Sequence, residues 1–289
     1  VDSIFIGNYD ADGLTATSLA YPLQMLLIAF AAGTAVGVNS FVSRKLGEKN
    51  FVQANDGATH GFVTCIFNYV IFLLLGLFAV RPFMAMYTQN EAIVNYGIQY
   101  LTVVLCFSFF SIVQIMVEKT LQATGNMIFP MLSQLFGAIV NIIFDPLLIF
   151  GIGIFPEMGV LGAAIATVLA QAAAAALVML SLFQSDDALH FSFHDLCIDF
   201  KITKDIFKIG FPAAIESVLY TISNLIIAAK INDFGVDVIA ANTAYGKIDA
   251  IYWMILQAFG ISITTFVGQN FGARKFDRVK KGINRWMAI

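Results

Sequence analysis

A carboxylate and an amide lie four residues apart within an apolar run long enough to cross a bilayer. The run covers residues 129–150 and carries Asn141 and Asp145. A charged side chain at that depth costs about 2.5–3.5 kcal/mol on insertion scales. The spacing of four places both side chains on one helix face, and Pro146, which has no N–H, frees the carbonyl of Ile142 beside them. Three oxygens in one place favour a site for a proton or a small cation.

The alternative interpretation of Asn141 and Asp145 is a structural hydrogen-bonded pair that holds helices together. Hydrogen bonds inside membranes contribute only about 0.6 kcal/mol on average. That contribution does not offset the cost of inserting a charge, so we favour a functional role for both residues.

Two later apolar stretches carry further ionisable residues. Glu216 lies four residues after Pro212, and a carboxylate within a membrane span is a functional candidate by default. Lys247 and Asp249 are two residues apart in the next stretch, so they do not share a helix face, and each is expected to meet a partner on another helix. We predict Glu216 and Asp249 as candidates for lining a substrate cavity.

The composition predicts an all-α, polytopic membrane helical bundle. Hydrophobic residues make up 59% of the 289 residues, and the mean hydropathy is +0.81. Charged residues make up 12%, about half the roughly 25% of soluble domains. Seven complete apolar stretches are expected near residues 14–41, 61–83, 94–117, 128–152, 159–183, 207–230 and 242–267. Residues 1–7 resemble the tail of an earlier span and 283–289 the start of a later one, so we expect a fragment of a longer protein.

The distribution of lysine and arginine predicts the orientation. Arg81 and Lys230 lie in one set of loops, and Lys119 and Lys247 lie in or near spans. The opposite loops hold the larger share and are expected to face the cytoplasm of a multi-pass cell membrane protein. Those basic residues are Arg44, Lys45, Lys49, Lys201, Lys204, Lys208, Arg274, Lys275, Arg278, Lys280, Lys281 and Arg285.

Cysteine and histidine give no pattern typical of a metal centre. Cys65, Cys106 and Cys197 lack metal-ligand or disulfide spacing. His190 and His194 share a loop with Cys197, and a solvated connector is the preferred interpretation over a metal site. We therefore expect no cofactor, and no metal other than sodium at the coupling site.

An internal repeat indicates the architecture. Residues 41–51 match residues 266–276 at an offset of 225, and the same offset pairs Asp12 with Asp237 and Gly57 with Gly282. Because the offset covers an even number of spans, the repeats run parallel through the membrane and imply an intact protein of roughly 450 residues in two six-helix lobes. We predict that residues 1–183 belong to the first lobe, that 184–204 form a cytoplasmic linker, and that 205–289 begin the second lobe.

Four motifs occur in order along the chain, namely VDSIFIG at Val1–Gly7, NIIFDPLLIFG at Asn141–Gly151, GVLGAAIAT at Gly159–Thr167 and VGQNFGA at Val267–Ala273. With these motifs the chain resembles the multidrug and toxic compound extrusion (MATE) transporters along essentially its whole length. The resemblance implies two six-helix lobes, alternating access, and export of amphipathic cations against an inward flux of protons or sodium. It implies small lipophilic cations and the bilayer as partners, with no nucleic acid, and we expect a monomer.

The resemblance also implies a cation or proton site in the amino-terminal lobe. The first-helix Asp of the family corresponds to Asp2, and the sixth-helix Thr to Thr167. The fifth-helix Asn and Asp correspond to Asn141 and Asp145. A fourth-helix polar position falls near Glu118, where related proteins often carry a different polar residue, so its role in coupling or gating rests on position. From sequence alone, Asp2 is an interfacial residue and Thr167 belongs to a stripe of small residues that pack helices.

Three other functions remain as alternatives. A flippase for a lipid-linked saccharide has similar bundles, but its anionic pyrophosphate favours a strongly cationic cavity, whereas the cavity candidates here are neutral or acidic. An intramembrane enzyme is disfavoured because no Ser–His pair, His-Glu-x-x-His motif or phosphate loop lies in the spans. An inert scaffold does not explain Asn141 and Asp145.

Overall fold

The structure, a computed structural model, is helical throughout the part of the chain that it describes, which is residues 2–184, 199–232 and 234–287. No strand occurs among these residues, in agreement with the predicted all-α class. Within the described ranges, eleven helices follow one another: α1 (Asp2–Tyr9), α2 (Ala11–Gly47), α3 (Phe51–Phe78), α4 (Val80–Tyr87), α5 (Glu91–Cys106), α6 (Phe109–Thr124), α7 (Ile128–Ile149), α8 (Gly159–Gln184), α9 (Phe200–Asn232), α10 (Val236–Gly272) and α11 (Phe276–Met287).

The helices that are long and apolar enough to cross a membrane match the seven predicted stretches. Six single helices meet these requirements, with the qualifying parts of α9 and α10 at Phe200–Asn224 and Ile248–Gly272. One further span, which brings the total among the described residues to seven, is formed by α5 and α6 together. These two helices bend by 46° at their junction. The polytopic bundle is therefore confirmed.

The bend in the third complete span is a feature that the sequence did not predict. The helix breaks at Phe107 and Ser108, where regular backbone pairing is interrupted. Tyr69 of α3 donates its hydroxyl to the carbonyl oxygen of Cys106 at 3.1 Å, so a side chain from a neighbouring helix satisfies backbone freed at the break. Unpaired carbonyls are costly without water, and this compensation makes the break tolerable.

The first compact unit contains the described residues within Val1–Ala32, Gly61–Glu118 and Met127–Ser185. Its central feature is the close packing of α7 on α8. A methyl group on Gly162 would meet the carbonyl of Leu148, and one on Gly137 would lie 3.0 Å from the Cβ of Ala174. The small-residue stripe predicted on α8 therefore serves close helix packing, as it commonly does in membranes.

The second compact unit contains the described residues within Gly33–His60, Lys119–Asn126 and Asp186–Ile289. Glycines bring α2 against α9 and α10. A Cβ on Gly47 would overlap the backbone of Gln269, and a Cβ on Gly272 would overlap the backbone of Arg44. Gly47 and Gly272 are 225 residues apart, as are Arg44 and Gln269. Such reciprocal contacts are expected around a pseudo-twofold axis and agree with the parallel repeat.

The predicted lobe boundaries and linker stay predictions. Most of the predicted linker, residues 185–198, lies outside the described part of the chain.

The glycine contacts give a testable consequence at Gly33, whose Cβ would overlap the backbone of Ala214 in α9. Because Ala214 is fully buried, neither helix can yield without separating from the other. We expect Gly33→Ala to lower the thermal unfolding midpoint of the intact protein, since overpacking costs about 1–3 kcal/mol. Gly7→Ala is the matched control, because its added methyl meets only the flexible Cδ2 of Leu14, at 3.2 Å. Equal midpoints for the two variants would contradict this packing.

Candidate functional site

Three helices of the first unit converge on the carboxylate of Asp2 in α1. Thr167 of α8 donates its hydroxyl to Asp2 Oδ2 at 2.8 Å. Tyr100 of α5 donates its hydroxyl to the same oxygen at 3.4 Å. Asp2 is half-buried, whereas Tyr100 and Thr167 are buried. Residues separated by up to 165 positions thus share one polar centre.

Asp145 of α7 belongs to the same centre and is fully buried. Asn141 donates its side-chain amide to Asp145 Oδ1 at 3.1 Å, so the predicted pair on one helix face is present. Asp2 lies close enough to Asp145 for the two carboxylates to interact electrostatically. The second oxygen, Asp145 Oδ2, has no donor among the described residues.

The carboxylates of Asp2 and Asp145 lack a positively charged partner among the described residues that line their site. Two carboxylates in a low-dielectric environment repel each other when both are ionised, and a buried acceptor without a donor is costly. A proton held between Asp2 and Asp145 would supply a donor for Asp145 Oδ2. A sodium ion would do the same with carboxylate, amide and hydroxyl oxygens, which are suitable ligands for a hard cation.

A cavity of about 330 Å³ adjoins Asp2 and Asn141, the hydrogen-bond partner of Asp145. Two features of its wall are relevant. It contains one acidic side chain and several amides but no lysine or arginine, and the buried amide oxygen of Gln171 has no hydrogen-bond partner among the described residues. The lining residues are Asp2, Gln24, Gln114, Gln134, Gly137, Ala138, Asn141, Thr167, Ala170, Gln171 and Ala174.

Glu118 of α6 is a buried carboxylate behind the wall of this cavity. It accepts from Gln114 Nε2 at 3.0 Å, from Ser133 Oγ at 3.0 Å and from Gln134 Nε2 at 2.8 Å. Gln114 and Gln134 also line the cavity. In contrast to Asp145, both oxygens of Glu118 are satisfied, as suits a group that only accepts.

The structure therefore brings together four of the predicted residues, Asp2, Asn141, Asp145 and Thr167. Glu118 lies one side chain away from their cavity. The roles of all five residues in ion coupling stay predictions.

The other two candidates lie elsewhere, in the second unit. Glu216 is exposed on α9. Asp249 accepts a hydrogen bond from the hydroxyl of Tyr245, four residues earlier in α10, at 3.2 Å. The side chain of Lys247 lies outside the described part of the chain. The prediction that Glu216 and Asp249 line a substrate cavity remains untested by these contacts.

Several polar residues of the site were missed by the sequence analysis. Gln24, Gln114, Gln134 and Gln171 occur within apolar stretches, and a side-chain amide at membrane depth needs a partner, so their positions were available as a signal. Tyr100 gave no such signal, because tyrosine is common in membrane helices near both interfaces.

No metal-ligand cluster occurs among the residues that the structure describes. Cys65 and Cys106 are free thiols. The group formed by His190, His194 and Cys197 lies outside the described ranges.

Comparison with known proteins identifies the family and two relatives of the chain. It matches the MatE family over residues 1–147 and 212–289. The FAD transporter of Shewanella oneidensis is 25% identical over 282 residues, which are 98% of this chain and 62% of that protein. The probable multidrug resistance protein YoeA of Bacillus subtilis is 26% identical over 277 residues, which are 94% of this chain and 59% of that protein.

A solved structure of MATE in the bent conformation has the same fold. It is 24% identical, has a TM-score of 0.89, and is matched over 99% of this chain and 64% of its own length. The chain thus spans about three fifths of the length of the relatives that it matches, 59–62% of the two proteins above.

The unsatisfied oxygen of Asp145 predicts an unusual effect on stability. Asp145→Asn would remove one of two facing charges and supply an N–H in place of Oδ2. We expect the thermal unfolding midpoint of the intact protein to rise by roughly 2–4 °C, the shift that accompanies about 1 kcal/mol. A clear fall in the midpoint would contradict the inferred shortage of a positive partner.

Glu118 predicts the opposite effect. In Glu118→Gln, an amide N–H would replace one acceptor oxygen and would face one of the three side chains that donate to Glu118. That donor would lose its acceptor, and leaving a buried donor unsatisfied costs about 1–3 kcal/mol. We expect a lower unfolding midpoint. The exchanged double variant Glu118→Gln with Gln134→Glu restores the pairing between the two side chains and should recover most of the loss. An unchanged midpoint in Glu118→Gln would show that the network contributes nothing to stability.

Proposed function

The chain belongs to the MatE family, and from this premise we propose that the intact protein is a secondary active exporter, driven by an inward flux of protons or sodium. The observation that supports the proposal most strongly is the pair formed by half-buried Asp2 and fully buried Asp145, which lies beside a polar cavity and lacks a positively charged partner for its two carboxylates. A structural pair would be fully satisfied, whereas an ion site must be able to lose its occupant.

The proposed coupling follows from the contacts of Asp2. When a proton or sodium ion is bound, the charge of the pair is balanced and α1, α5, α7 and α8 can pack closely. When the ion leaves, the two carboxylates repel each other, while the hydrogen bonds from Tyr100 and Thr167 to Asp2 still connect α1 to α5 and α8. Transport requires that the two conformations differ in affinity for the ion.

The proposed substrates are amphipathic cations. The cavity wall contains Asp2 and five side-chain amides but no basic side chain, so it offers acceptors and negative charge to a positively charged ligand. The relative from Shewanella oneidensis carries the name FAD transporter, which makes an anionic dinucleotide the natural competing substrate to test. The same lack of basic residues also disfavours the pyrophosphate of a lipid-linked saccharide.

The remaining features of the proposal concern placement. The protein is proposed to be a multi-pass cell membrane protein whose lysine- and arginine-rich loops face the cytoplasm. It is proposed to act as a monomer, to need no cofactor apart from the coupling ion, and to have no enzyme activity.

Transport in sealed vesicles tests the proposal. We expect the intact protein to move a fluorescent lipophilic cation when a proton or a sodium gradient is imposed, and Asp145→Asn to reduce this gradient-driven transport to background. Asp205→Asn is the matched control, because it makes the same chemical change at an exposed carboxylate near the start of α9, and it should transport like the wild type.

The outcomes separate the alternatives. Normal transport by Asp145→Asn would overturn the assignment of the ion site. Transport of FAD but not of the cation would overturn the substrate class while leaving ion coupling intact. No transport of either compound under both gradients would direct attention to flipping of a lipid-linked saccharide.

A further inference from the structure

The end of α6 is held by side chains from two other helices of the second unit. Each of three side chains donates a hydrogen bond to a backbone carbonyl in the last two turns of α6. The bonds are Asn39 Nδ2 to Lys119 O at 2.8 Å, Thr265 Oγ1 to Gln122 O at 2.9 Å and Gln269 Nε2 to Ala123 O at 2.8 Å. We call the two donors from α10, Thr265 and Gln269, the latch.

The carbonyls that the latch contacts have a physical need for these donors. The last four carbonyls of a helix have no partner within the helix, and α6 ends at Thr124. Ala123 is fully buried and Gln122 is 7% exposed, so water does not reach these groups in the observed conformation. Gln122 O also accepts from the backbone N–H of Gly125 at 3.0 Å. If α10 moved away, Gln122 O would therefore lose one of two donors, whereas Ala123 O would lose Gln269 and would have to be hydrated.

A polar cavity of about 220 Å³ lies beside the latch and has room for that water. Two buried amide oxygens in its wall, Asn39 Oδ1 and Gln122 Oε1, have no hydrogen-bond partner among the described residues. Unsatisfied acceptors at this place favour entry of water as soon as a path opens. The lining residues are Val36, Asn39, Lys119, Gln122, Gln257, Gly260, Ile261 and Thr264.

The approach of α10 to α2 is too close for gradual sliding. A Cβ on Gly268 would overlap the side chain of Ser43, and one on Gly272 would overlap the backbone of Arg44. Packed interfaces of this kind switch between discrete arrangements and do not deform continuously. The bonds from Thr265 and Gln269 are therefore either made or broken.

The helix that the latch holds is also the helix that carries Glu118. Gln122 follows Glu118 by four residues in α6, which is about one helical turn. Glu118 and Gln122 therefore lie on neighbouring turns of one continuous helix, Phe109–Thr124.

We propose that Thr265 and Gln269 are gate residues, which close the lysine- and arginine-rich face of the transporter and must release the end of α6 in every transport cycle. The proposal rests on the proposed transport function, because a gate has meaning only in an alternating-access protein. The competing interpretation is a permanent cap on α6 that never opens.

Labelling of a cysteine in the cavity distinguishes a gate from a permanent cap. Val36→Cys places a thiol in the cavity wall with little change in volume. In the intact protein, Cys106 and Cys197 are first replaced by Ser, while Cys65 is fully buried and is retained. Sealed vesicles that expose the lysine- and arginine-rich face receive a membrane-impermeant maleimide, without any gradient, and the labelling rate is measured.

The test variant is Thr265→Val with Gln269→Leu, which keeps side-chain volume and removes both donors. We expect its labelling to be about tenfold faster, equivalent to about 1.4 kcal/mol. Ser262→Ala is the matched control, because the exposed Ser262 hydroxyl of α10 bonds to Ala258 O of its own helix and does not line the cavity. It should label like the parent. Thr265→Ser, which keeps a hydroxyl donor, should also remain near the parent rate.

Should the double variant fail to fold, Gln269→Asn provides the test. Its shorter amide stays polar but cannot reach Ala123 O, and faster labelling is again expected.

Labelling at the parent rate in the folded variants would overturn the latch, whether or not the vesicles show gradient-driven efflux. Faster labelling in vesicles whose unmodified protein shows no efflux would support the gate contacts and reject the proposed function. Gradient-driven efflux by the unmodified protein, together with unchanged labelling of the variants, would support the proposed function and reject the gate contacts.

Discussion

The absence of water at membrane depth is the constraint on which this structure depends. A polar group that water cannot reach must find its partner within the protein. Most described polar groups do so: Glu118 has three donors, and the break before α6 receives the hydroxyl of Tyr69. One exception, at the centre of the first unit, is Asp145 Oδ2, which has no donor among the described residues, as suits a site for an ion that binds and leaves.

The same constraint relates the ion site to the end of α6. At the site, the missing partner is a cation or a proton. At the end of α6, the carbonyls of Gln122 and Ala123 accept from Thr265 and Gln269, and water would replace these two donors if α10 moved away. An alternating-access exporter needs a site that binds the coupling ion. It also needs a gate that lets water enter from only one side of the membrane at a time. Glu118 and Gln122, one turn apart on α6, give these two requirements a common helix.

The sequence predicted the fold well because hydropathy and repeat structure are local or periodic signals. Asn141 and Asp145 were identified since a charge in an apolar run is conspicuous and a spacing of four defines a helix face. Their proximity to Asp2 and Thr167 was predicted only through the family resemblance. A single sequence carries no signal for contacts between residues more than a hundred positions apart. Tyr100 was missed for that reason, and the bend at Phe107 and Ser108 was missed because no proline or glycine marks it.

The central claim is that Asp145 and Asp2 bind the coupling ion, and ion-dependent stability tests it most directly. A ligand that binds only the folded state raises the free energy of unfolding as its concentration increases. Thermal unfolding of the purified intact protein would be followed over a series of sodium and proton concentrations, beside Asp145→Asn. The account predicts that one of the two ions stabilises the wild type and that Asp145→Asn loses this dependence. An equal response of both proteins would show that the ion binds elsewhere.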